Sequence, residues 1–147
     1  MFSVNDLSVV DYRALSEFRY QIRRFLSFSE GQARAYGLEP QQHQLLLAVR
    51  GLPQGKKATI SELADRLRLK HHSTVELVNR LESLGAIVRV QSEQDRRRVI
   101  VQLTRTGTVL LRKLSLAHRH ELEMAGPELS RALRTVMRRI HAEARSA

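Results

Sequence analysis

Apolar residues in the first part of the chain recur at helical spacing. Leu15, Phe18, Ile22 and Phe25, with Leu26 beside them, predict one long amphipathic helix from about Asp6 to Tyr36, and Gly37 is placed to end it. Phe18, Tyr20, Phe25 and Phe28 give that helix a sizeable apolar surface. Pro40 suits the first turn of a second helix, Pro40 to Arg50, which Gly51, Leu52 and Pro53 stop. Gly51 to Lys57 reads as a basic turn. Thr59-Ile60-Ser61-Glu62 has the form of a capping box and opens a short third helix carrying Leu63, Ala64 and Leu67. After a break at Leu69 and Lys70, a fourth helix runs from His71 to Leu84, with Thr74, Leu77, Val78, Leu81 and Leu84 on its inner face and Gly85 after its end. Two short helices parted by three or four residues are a helix-turn-helix signal.

Beyond Gly85 the period changes to two. Ile87 to Val90 and Val99 to Leu103 read as strands of a hairpin whose tip, Gln91 to Arg98, is acidic and then basic. Thr104 is placed to cap a fifth helix, about Arg105 to Ala125. Gly126-Pro127 predicts a break, followed by a sixth helix with Leu129, Ala132, Leu133, Val136 and Ile140 on one face. The expected fold is mainly α with a small β-hairpin wing.

Charge sharpens this reading. The 147 residues carry a formal net charge of +10, which favours an acidic partner such as nucleic acid, an anionic membrane or an acidic protein. The excess is uneven: positions 56–105 hold eleven bases and six acids, whereas the first 55 positions hold six and five. The absence of cysteine excludes disulfides, thiolate nucleophiles and cysteine-zinc sites. No apolar run approaches the roughly 20 residues that span a bilayer, and the first residues lack the pattern of a signal peptide. A cytoplasmic protein with no membrane association is the expectation.

Three arginines, Arg96 to Arg98, crowd the hairpin tip. They make either a solvated loop with a local ion pair or a contact to something negative. Beside a helix-turn-helix, a basic hairpin fits duplex DNA. The second helix enters the major groove, where base edges differ, and the hairpin reaches the adjacent minor groove or its phosphates. Asp95, two residues before Arg97, is placed to hold that guanidinium. Other chemistries are thinly supported. His120-Glu121-Leu122-Glu123-Met124 falls one histidine short of a zinc motif, and His118 with Glu121 makes two ligands, too few for a site. Neither a glycine-rich phosphate loop nor a nucleophile elbow occurs, so no enzyme, metal or cofactor is expected.

The stretch Asp95 to Gly107, "DRRRVIVQLTRTG", resembles the D-x-R-x-x-x-V-x-L-T-x-x-G wing signature of the MarR family of bacterial transcriptional regulators. Glu62 to Arg89 is similar to that family's helix-turn-helix, and the order of six helices agrees as well. The resemblance implies a single domain over 1–147. Residues 1–37 and 127–147 would be dimerisation helices, 38–107 the winged helix-turn-helix and 105–126 a connecting helix. It implies a homodimer held by Leu15, Phe18, Ile22, Leu133, Val136 and Ile140. Double-stranded DNA would meet His71, His72, Ser73, Val75, Glu76, Asn79, Arg80, Asp95, Arg96, Arg97 and Arg98. Arg80, Arg96 and Arg98 would serve phosphates, His72, Ser73, Val75 and Glu76 the major groove, and Arg97 the minor groove. The implied activity is ligand-responsive repression at a pseudo-palindromic operator. The effector would be a small aromatic or phenolic anion, bound near Phe18, Ile22 and His43. The alternative is a winged helix that serves only protein contacts. Lys70 departs from the family's usual Ser, Asp or Thr before the recognition helix, as do His71 and His72 from the usual pair that follows.

Overall fold

The computed structural model describes residues 7–146. Along them run α1 (Val9–Ala35), α2 (Pro40–Arg50), α3 (Ile60–Leu67), α4 (His71–Ser83), β1 (Ile87–Gln91), β2 (Val99–Leu103) and α5 (Arg105–Ser146). The expected helix start at Asp6 lies outside the described residues. Ser8 begins α1 instead: its hydroxyl accepts from the Asp11 N–H at 3.3 Å, and the Asp11 carboxylate accepts from the Ser8 N–H at 2.8 Å. None of the helices among the described residues is long and apolar enough to cross a membrane.

The chain divides into two compact units. One holds residues up to Ser29 together with those from Ala117 onward; the other is Glu30–Leu116. The second unit is the winged helix-turn-helix. Its core collects Leu45 and Leu46 of α2, Leu63 of α3, Leu77, Val78 and Leu81 of α4, Ile87 and Val101 of the sheet, and Leu111 and Leu114 of α5. Each such aliphatic side chain, fully buried, stabilises by about 1.5–3 kcal/mol before chain entropy is counted.

Local chemistry sets the ends of these elements. The Thr59 hydroxyl accepts from the Glu62 N–H at 3.2 Å, as expected for a cap. The Glu62 carboxylate does not complete the box; it turns to Arg66 at 3.2 Å and Lys56 at 4.0 Å. Arg68 ends α3 in the left-handed region at φ 55°, and the next N–H, of Leu69, reaches back to the Ala64 carbonyl at 2.9 Å. This tight reversal sets the short gap before α4. The hairpin pairs antiparallel, with Ile87 opposite Leu103 and Gln91 opposite Val99. Val101 also donates to the Ala58 carbonyl at 2.9 Å, which ties the free edge of β2 to the loop before α3.

In the first unit, Ala14 of α1 and Ala132 and Val136 of α5 are buried. The Arg139 guanidinium lies 2.7 Å from Asp11 and 3.1 Å from the Ser8 hydroxyl. Together with the Ser8 bonds it holds the Asp11 carboxyl well below the usual carboxylate range. His118 bonds Ser29 at 2.8 Å and meets the rings of Phe25 and Phe28 edge-on, at 5.9 and 5.4 Å between centroids.

The expected break at Gly126-Pro127 does not occur. One helix of 42 residues runs through it, with Pro127 inside. Proline disfavours helix in the preceding residue partly through a clash with that residue's Cβ, and Gly126 has none. Proline still removes one backbone donor, but Ala132 and Val136 beyond it are buried, and that packing favours continuing the helix. The separate connecting helix 105–126 and C-terminal helix 127–147 are therefore one element.

Candidate nucleic-acid interface

Burial fixes the rotation of α4. Thr74, Leu77, Val78 and Leu81 are buried on its inner side, and the Thr74 hydroxyl donates to the Lys70 carbonyl at 3.0 Å. The opposite side leaves His71, His72, Glu76, Asn79 and Arg80 in water, with Ser73 and Val75 half-buried at its margins. Positions 72, 76, 79 and 83 are neighbours on a helix surface, so this side is one stripe. Lys70 stands at the N-cap without a side-chain capping bond, as its chemistry dictates, and the first turn of α4 has no acid. The positive end of the helix dipole is thus left uncompensated by side chains of that turn.

The wing tip is a tight turn braced from within. Ser92 donates to the Arg98 carbonyl at 2.9 Å, and Arg98 donates to the Asp95 carbonyl at 2.9 Å. Asp95, Arg96, Arg97 and Arg98 are all exposed. By its place in the sequence, the Asp95 carboxylate is expected to face the Arg97 guanidinium. It accepts instead from the Arg97 backbone N–H at 3.0 Å, and no ion pair joins the two side chains among the described residues. A short acidic side chain reaches a backbone two residues on more readily than the end of a long arginine. Asp95 therefore shapes the turn, and Arg97 keeps its charge free.

Two further residues belong to this surface and were not singled out in the sequence. Arg89 of β1 donates to the side-chain carbonyl of Asn79, joining the hairpin to α4. Lys57 donates to the Gln94 side chain, joining the loop before α3 to the wing. Strand alternation was the available signal for Arg89: it shares a face with Ile87, the face turned toward the core.

The rest of the wing signature has a different task. Thr104 caps α5 by accepting from the Gly107 N–H at 3.1 Å, while its hydroxyl donates to the Gly85 carbonyl at 2.6 Å. Gly107 lies so close to the turn after α4 that an added Cβ would stand 2.0 Å from the Ala86 carbonyl oxygen.

Of the expected interface residues, Val136 is buried within its own unit, whereas Leu15, Leu133 and Ile140 remain 45%, 44% and 51% exposed. Phe18 and Ile22 are half-buried on α1, and His43 is buried on α2.

A helix-turn-helix whose second helix turns a polar stripe outward, followed by a two-stranded basic hairpin, defines a winged helix-turn-helix protein. Residues 36–98 match the MarR family. The chain is 35% identical over 78 residues to a Bacillus subtilis protein named as an uncharacterized HTH-type transcriptional regulator, YfiV; the match covers 50% of this chain and about half, 49%, of that relative's length. Among solved structures it resembles AbsC, a MarR family transcriptional regulator from Streptomyces coelicolor, with a TM-score of 0.71, 20% identity and coverage of 96% of this chain and 98% of that one. It also resembles a mutant of the S. aureus regulator MepR bound to an oligodeoxyribonucleotide, with a TM-score of 0.63, 19% identity and coverage of 88% and 93%. At these identities the structural likeness concerns the fold.

Proposed function

We propose that this protein is a sequence-specific DNA-binding transcriptional regulator that binds a pseudo-palindromic operator as a homodimer and represses by occluding the promoter. The observation that carries the reading is the joint exposure, in one unit, of the α4 stripe and the three wing arginines. His72, Glu76 and Asn79 would meet base edges in the major groove, with Ser73 and Val75 at the margins of the contact. Arg80, Arg96 and Arg98 would neutralise phosphates, and Arg97 would enter the minor groove, where negative potential is enhanced. A two-fold dimer would set the recognition helices about 34 Å apart, one duplex turn.

Dimerisation is supported by apolar side chains left in water in the first unit, above all Leu15, Leu133 and Ile140. Val136, covered by its own chain, would contribute by positioning them, while Phe18 and Ile22 would extend the surface along α1. A small aromatic or phenolic effector completes the reading. It rests on the family resemblance and on the aromatic cluster of Phe25, Phe28 and His118.

Selection of bound fragments from a random duplex pool, with affinity then measured across salt, tests this function. One enriched motif with two-fold symmetry and a steep salt dependence is the expected result. Binding that is absent, or independent of salt, would instead favour a winged helix devoted to protein contacts.

A further inference from the structure

The hydrogen bond between Arg89 and Asn79 limits what the recognition helix can read. Asn79 lies on the exposed stripe of α4, one turn beyond Glu76 and Val75. An asparagine amide is ordinarily two-faced, with an oxygen that accepts and a nitrogen that donates. Free, it recognises adenine with both ends at once, accepting from the base's amino group and donating to N7. Here the amide is not free to choose. Arginine has donors only, so the end of Asn79 that meets Arg89 must be the carbonyl oxygen. That orientation follows from chemistry and does not depend on telling oxygen from nitrogen.

Arg89 is suited to hold the amide this way. It is on β1, whose pairing with β2 is continuous from Ile87 to Gln91, so its backbone is held before and after Arg89 along the strand. No carboxylate among the described residues lies within ion-pair distance of it. Its positive charge therefore sits against the Asn79 oxygen without compensation. An adenine amino group approaching that oxygen would find one of its two lone pairs already used and a cation beside the other. The Asn79 nitrogen, by contrast, keeps both hydrogens for an outside partner.

Resting on the DNA-binding reading, we propose that Arg89 is a specificity-determining residue: it locks Asn79 as a donor, so that α4 selects an acceptor-rich base edge, guanine O6 and N7, over adenine at the position under Asn79. Arg89 does this without itself needing to contact a base.

The test is selection from a random duplex pool with the full-length parent, Asn79→Ala and Arg89→Met. Methionine keeps an unbranched apolar stem but cannot donate. The position under Asn79 is identified as the one whose preference flattens in Asn79→Ala. There the parent should favour guanine over adenine by roughly tenfold, within the range of one bidentate contact, and Arg89→Met should shift preference toward adenine by a similar factor. Thermal melts of both variants accompany the selection. Should Arg89→Met fail to fold, the parent alone decides, measured on duplexes differing only in guanine or adenine at that position. A parent preference for adenine there, an unchanged profile in folded Arg89→Met, or no flattened position in Asn79→Ala would each overturn the proposal. A parent that enriches no sequence at all would overturn it together with the DNA-binding reading, which separates the two failures.

Discussion

The wing joins its unit at Thr104, whose hydroxyl bridges Gly85 and Gly107 and whose N–H donates to the Ala86 carbonyl at 3.0 Å. At the other end, among the described residues, the hydrogen bonds of positions 92–98 join them to one another, apart from the Lys57 contact to Gln94, and Arg96, Arg97 and Arg98 stand in water. One contiguous signature thus has two halves with different physics. In "LTRTG" Thr104 answers a hydrogen-bonding need of the fold and Gly107 a steric one. In "DRRR" the fold needs only the turn, which Asp95 supplies through a backbone bond, and the charges remain available to a partner. A substitution at the base should therefore register in stability, and one at the tip in binding.

The largest effect is expected at Gly107. Gly107→Ala puts a Cβ into the Ala86 carbonyl, so α5 or the turn after α4 must move; a loss of about 3 kcal/mol is the expected scale, read by denaturant titration. A Gly107→Ala protein as stable as the parent would show that the base is not close-packed and would remove half of the contrast. Next comes Arg97→Ala, for which DNA affinity should fall by about 1–3 kcal/mol per site, with a shallower salt slope and an unchanged melt. Equal affinity to the parent at every salt would make the tip a solvated hairpin. Thr104→Ala should cost about 1 kcal/mol of stability through the lost cap, and Thr104→Ser should recover most of it because the hydroxyl returns. Recovery of nothing by serine would point to the methyl group instead. The smallest effect is expected for Asp95→Ala, about 0.5–1 kcal/mol in DNA affinity with the charges all retained, since it loosens the turn that aims them. An effect as large as that of Arg97→Ala would mean that the turn, more than the charge, governs docking.

Much of this architecture was legible in the residues because its causes are local. Helical spacing marked the inner face of α4 as Thr74, Leu77, Val78, Leu81 and Leu84; the first four are buried there, whereas Leu84, at the C-cap where the helix has ended, is exposed. Thr59 and Thr104 announced helix starts through their hydroxyls, and the change of period after Gly85 announced the hairpin. The exposed stripe of α4 followed from the same rotation that buried its other side.

What tertiary structure decided is where a side chain had more than one acceptable partner, or where distant packing outweighed a local rule. Gly126-Pro127 reads as a stop by local propensity, but burial of Ala132 and Val136 favours one continuous helix. Glu62 was placed to complete a capping box, but Arg66 and Lys56 lie within its reach and their charge draws the carboxylate. Asp95 was placed near both the guanidinium and the N–H of Arg97, and the turn geometry selects the N–H. Asn79 and Arg89, ten positions apart, meet only because the hairpin folds back beside α4. The sequence by itself determined the elements as far as Gly126, the caps at Thr59 and Thr104 and the location of the charge, since these depend on neighbours along the chain. The pairing of polar side chains depends on neighbours in space, and only the packed structure settles which of several favourable bonds forms.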